Sequence, residues 1–142
     1  VEVGAGATPL NAKSGNTSDI GEDLDLFVIG PNGEFAQSAD ADSEEEVTVN
    51  NPAIGTWTVI VDGFSVPAGT TTYDYVDAVT NPAFGAISIT DPPALRTAGS
   101  TWGATASVTP LSEPGAGRFL RGFVEVREGA GVLARAEVQL RP

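Results

Sequence analysis

The chain has 142 residues and a formal net charge of −12, and it contains no cysteine, histidine or methionine. Without those side chains there are no disulfides, no thiolate or imidazole zinc sites, and no Ser-His-Asp or Cys-His nucleophile. The acid excess makes nucleic acid and anionic membrane poor partners; it suits calcium, a basic partner or solubility outside the cell. No apolar run reaches the roughly 18 residues that a membrane-spanning helix needs. The missing methionine implies a processed or excised piece of a longer protein, with any signal peptide already gone. A carboxylate pair can still act as acid and base, but a small strand-rich chain does not frame a long glycosidase cleft, so no enzyme activity is expected.

Alternation rather than helical periodicity runs along the chain. In "LNAKSG", Leu10 and Ala12 share an inward face. "DLDLFVIG" predicts a strand with Leu24, Leu26 and Val28 on one side and Asp25, Phe27 and Ile29 on the other. "PNGE" closes it into a hairpin: Pro31 presets the first turn residue, and Gly33 takes positive φ. "FAQSA" returns, and the acidic loop "DADSEEE" leads into a short strand, "VTVN". "TWTVIVDGF" predicts the strongest strand, with Trp57, Val59 and Val61 on the core face, and "TYDYVDAV" another.

A boundary falls at "TNPAFG", where the charge balance changes. Residues 1–82 hold fourteen acids against Lys13 alone, whereas residues 83–142 hold five acids and all six arginines. Beyond it come "AISIT", a Pro-rich loop or edge segment "DPPALRTAGSTWG", "ATASVT", and the pair "RFLRGFVEVRE" and "VLARAEVQL" joined by "GAG". Short strands separated by turn signals predict an all-β architecture. A jelly-roll-like β-sandwich over residues 1–82 is followed by a small immunoglobulin-like β-sandwich over 83–142.

Residues 19–80 resemble the bacterial pre-peptidase C-terminal domain, in the form that follows the catalytic domain of secreted actinobacterial subtilisin-like serine proteases. The resemblance rests on five elements in order: Asp23-Leu24-Asp25-Leu26, Pro31-Asn32-Gly33, the Ser43–Glu46 stretch, Asn51-Pro52-Ala53 with Gly55 and Trp57, and Val61-Asp62-Gly63-Phe64. Residues 84–142 are similar to the immunoglobulin-like segment that often follows. Two features depart from the pattern. There is no aromatic between Val1 and Leu24, and Trp102 precedes its strand instead of lying within it. The resemblance implies a non-catalytic accessory region of an extracellular bacterial protease, monomeric, whose partners are the parent catalytic domain or a protein substrate. The contrasting reading is a cell-surface adhesion or carbohydrate-binding module.

Calcium takes six to eight oxygens from carboxylates and carbonyls. Asp23 and Asp25, with Asp19 from the preceding loop and Asp62 or Asp77 from neighbouring strand ends, are the candidate ligands. "DADSEEE" lacks the spacing of an EF-hand, and its glutamates read as a solvated loop. Candidate partner-binding residues are Phe64 and Tyr73, which with Tyr75 can form an aromatic surface, together with Trp102 and the Phe119-Arg121-Phe123 face of "RFLRGFVEVRE".

Overall fold

Strands β2 (Leu10–Gly15) and β3 (Asp23–Ile29) bury alternate side chains, as a period of two requires when one face meets a core. Leu10, Ala12 and Ser14 face inward from β2, and Leu24, Leu26 and Val28 from β3. The computed structural model describes residues 1–91 and 94–141. It divides into two units, Val1–Asn81 and Pro82–Pro142.

The first unit is built from two three-stranded antiparallel sheets. One has the order β5 (Glu45–Val49), β2, β8 (Asp74–Val79); the other has β4 (Phe35–Ser38), β3, β7 (Thr58–Ser65). A short pair, β1 (Glu2–Val3) with β6 (Gly55–Thr56), adds to them. Leu10, Ala12 and Val47 from one sheet pack with Leu26 and Val28 from the other, around Trp57. Trp57 is 1% exposed and supplies the large aromatic that the N-terminal segment lacks. Its indole Nε1–H donates to the Ala53 carbonyl at 2.9 Å, which satisfies the one polar group of a buried ring.

The β3–β4 hairpin closes as its sequence predicts. The Gly30 N–H donates to the Glu34 carbonyl at 2.8 Å and the Gly33 N–H to the Gly30 carbonyl at 3.1 Å, with Gly33 at φ +86°. Three strand boundaries differ from expectation. The predicted "TWTVIVDGF" strand divides at Trp57, whose backbone N–H donates to the Val1 carbonyl at 2.8 Å. β5 begins at Glu45 instead of Val47, because Ser14 and Lys13 of β2 extend the ladder to Glu45 and Glu46. β8 begins at Asp74, leaving Tyr73 just before it.

In the second unit a 3-10 turn (Pro82–Phe84) leads into β9 (Gly85–Thr90), which pairs antiparallel with β10 (Thr105–Pro110). β11 (Leu120–Glu128) pairs antiparallel with β12 (Gly131–Leu140), with a register shift between Val126 and Arg127. Ile87 of β9 lies against Gly122 of β11, where an added Cβ would clash with its Cδ1. Among the described residues of this unit none is fully buried. Of the segment "DPPALRTAGSTWG", Pro92 and Pro93 lie outside the described residues, and the described remainder contains no strand. Taken together, the chain is all-β.

Candidate functional site

Carboxylates gather at two places in the first unit. The first is the β3–β7 edge. Asp25 stands opposite Asp62 in the antiparallel register and Asp23 opposite Ser65, with an irregularity in the ladder between Asp23 and Asp25. Desolvation, and then the negative charges of Asp23 and Asp62, hold the Asp25 carboxyl above the usual aspartate range. Asp23 Oδ1 is buried and has no hydrogen-bond partner. Asp77 lies elsewhere: it sits on β8, opposite Ala12, in the other three-stranded sheet. Asp19 is exposed in the loop before β3, where its carbonyl accepts from the Thr17 hydroxyl at 3.2 Å.

The second gathering is the turn between β4 and β5. One carboxylate oxygen from each of Asp40, Asp42 and Glu45 lies within 4.8 Å of the other two. Backbone donors shape the turn. The Asp42 N–H reaches Asp40 Oδ1 at 3.2 Å, the Glu44 N–H reaches Asp42 Oδ1 at 2.8 Å, and the Asp40 N–H reaches Glu45 Oε1 at 3.1 Å. The turn is tied to the entry of β3: Ser43 Oγ donates to the Glu22 carbonyl at 2.8 Å, and the Leu24 N–H donates to the Asp42 carbonyl at 3.3 Å. Glu22 is itself buried and accepts from the Thr71 hydroxyl.

Glu45 corrects the reading of the three glutamates as a solvated loop. It is 0% exposed, whereas Glu44 accepts from the Asn16 N–H at 2.6 Å and Glu46 from Asn11 Nδ2 at 2.8 Å. The signal was present in the spacing. Glu45, Val47 and Val49 share one face of a strand, so an inward Val47 carries Glu45 inward with it. A charged residue at the strand entry masked that parity.

The aromatic candidates are exposed. Phe64 near the end of β7 is 73% exposed, Tyr73 before β8 is 42% exposed, and Tyr75 within β8 is 41% exposed. β7 and β8 are edge strands of different sheets, so Phe64 belongs to one sheet and Tyr75 to the other. In the second unit Trp102 carries the Arg96 guanidinium 4.6 Å from its ring centroid, and Arg96 also pairs with Asp91. Two guanidiniums stand near the Phe123 ring centroid, Arg121 at 5.3 Å and Arg135 at 4.9 Å, and Arg141 stands 5.0 Å from that of Phe119. Arg121 faces Gln139 in the ladder, and Phe123 faces Glu137. The ion pairs of this face converge on Glu125, which binds Arg127 and Arg135.

Residues 1–63 match the family described as the bacterial pre-peptidase C-terminal domain. The matched segment contains β1 to β6, most of β7 and both carboxylate gatherings. Over 86 residues, 56% of this chain, the sequence is 35% identical to pyrolysin of Pyrococcus furiosus. That alignment covers 6% of pyrolysin, so the chain spans a small part of the relative's length. No solved structure matches the chain. The two sequence matches support a protease-associated C-terminal domain. No helix among the described residues is long and apolar enough to cross a membrane.

Proposed function

We propose that this chain is the accessory region of a secreted subtilisin-like serine protease and that it attaches the parent enzyme to protein substrates. The observation that carries the reading is the family match over residues 1–63. The alignment with pyrolysin supports the protease context. In this reading residues 83–142 form an immunoglobulin-like β-sandwich that works alongside the first domain. The region acts outside the cell, where its acid excess keeps it soluble.

Exposed aromatics supply the attachment. Phe64 on edge strand β7, Tyr73 just before edge strand β8 and Tyr75 within it are exposed and present apolar area with low rotamer entropy. Trp102 fits a sugar platform less well, because a guanidinium already stands over its ring.

Sedimentation of the purified chain with an insoluble protein and with an insoluble polysaccharide tests the attachment. The reading expects depletion of the chain by the protein, reduced several-fold in a Phe64→Ser, Tyr73→Ser double variant of unchanged melting temperature. Depletion by the polysaccharide alone, lost in Trp102→Ala, would support the carbohydrate-binding alternative instead.

A further inference from the structure

We infer that copies of this chain associate head to tail, the outer face of the β4–β3–β7 sheet in one copy docking on the Phe-Arg face of the β11–β12 hairpin in the next. The first of these faces is apolar without being covered. Leu24, Leu26 and Val28 point into the core, so Asp25, Phe27 and Ile29 point away from it. In register, Phe27 has Gln37 of β4 on one side and Ile60 of β7 on the other, and Ile29 has Phe35 and Thr58. Phe27 and Phe35 stack with ring centroids 6.1 Å apart, yet Phe35 is 60% exposed and Ile60 42% exposed. Contiguous apolar area left in water on a sheet face is characteristic of an interaction surface.

The neighbouring row of the same face is Asp25 opposite Asp62. Among the described residues neither carboxylate has a basic partner. The one base in residues 1–81, Lys13, stands on β2 in the other three-stranded sheet, opposite Glu46. A cation that neutralises this row comes from outside the first unit.

The hairpin offers the converse. Gly122 turns toward Ile87, so Arg121 and Phe123 turn the other way. Glu125 on that face is already bound by Arg127 and Arg135. Arg121 and Arg141 have no carboxylate: Arg121 stands by the Phe123 ring, and Arg141 donates to Gln139 Oε1 at 3.0 Å beside Phe119. Phe123 is 42% exposed and Phe119 37% exposed.

Charge complementarity selects the occupant. One face sets exposed rings beside two carboxylates without a base; the other sets exposed rings beside two guanidiniums without an acid. Docking one on the other pairs both charge sets and removes both apolar sets from water. Like faces brought together would place acid on acid or guanidinium on guanidinium, so the contact is heterologous, and each copy keeps one free face for the next. Fourteen acids against one base in residues 1–82, and six arginines against five acids in residues 83–142, steer the same pairing at longer range. This departs from the monomer that the family resemblance implies, and it stands whether or not the protease reading holds.

Sedimentation velocity of the purified chain over a range of concentrations tests the inference. Association should rise with concentration and weaken several-fold in high salt. Phe35→Ser and Phe123→Ser, each of unchanged melting temperature, should each weaken it by about tenfold or more. A mixture of these two variants should recover a dimer that grows no further, because each supplies the face that the other lacks. Asp62→Lys should abolish association, and adding Arg121→Glu in the same chain should restore it; if the charge reversals do not fold, the serine variants decide. The inference is overturned by a monomer at every concentration, by association that survives Phe123→Ser, or by a mixture of the serine variants that stays monomeric.

Discussion

Asp25 of β3 stands directly across from Asp62 of β7, so two like charges share one position in the β3–β7 ladder of the first unit. Like charges placed opposite each other weaken a sheet. Desolvation of its carboxyl, and then the charges of Asp23 and Asp62, make the folded state hold the Asp25 proton more tightly than the unfolded chain does. Between the ordinary aspartate pKa and the raised one the native state binds more protons, so the Asp25 contribution to stability falls as pH rises through that window. Asp25→Asn should raise the melting temperature at pH 7, and the gain should vanish near pH 3. Equal gains at both pH values would show that repulsion is not the cause.

Glu34 behaves in the opposite sense. Its carboxylate accepts from Asn32 Nδ2 and from the Asn32 N–H, each at 2.9 Å, and these bonds lower its pKa. Its contribution is present above the ordinary glutamate pKa and is lost as pH falls through the lowered value. Glu34→Gln should lower the melting temperature at neutral pH and have little effect at pH 3, measured on the same instrument as Asp25→Asn.

Trp57 anchors the core, and removing it leaves a cavity between the sheets. Trp57→Ala should cost about 3–5 kcal/mol in denaturant unfolding. Gly30 explains how the ring fits. A Cβ at Gly30 would clash first with Glu34 Oε2 and would approach Trp57 Cη2 to 2.9 Å, so Gly30→Ala should cost about 1–3 kcal/mol through overpacking. A neutral Gly30→Ala would mean that both the Glu34 side chain and the ring can shift.

Phe64 and Tyr73 are exposed, so their replacement should leave the fold intact. Phe64→Ser and Tyr73→Ser should each change stability by less than about 0.5 kcal/mol, checked by urea unfolding. Larger losses would assign these rings to packing instead of recognition.

Much of the first domain was legible in its residues. Alternation in "LNAKSG" and "LDLFVIG" placed Leu10, Ala12, Leu24, Leu26 and Val28 inward because a strand has a fixed period of two. "PNG" specified its turn because Gly33 must take positive φ. The site was less legible, since pairing is a non-local property. The local sequence of Asp77 gives no sign that β8 joins the sheet of β2, away from Asp25. Glu45 was misread for a related reason: a run of three glutamates resembles a solvated loop unless the ladder with Ser14 is known. The second unit offered fewer constraints, because its apolar residues alternate without closing over a buried centre.

Attachment is tested most directly by comparing the proposed parent protease with and without residues 1–142. Hydrolysis of a short soluble peptide and of an insoluble protein would be followed for both forms. The account predicts an unchanged rate on the peptide and a several-fold loss on the insoluble protein when the region is removed. Equal rates on the insoluble protein, or peptidase activity in the isolated chain, would contradict it.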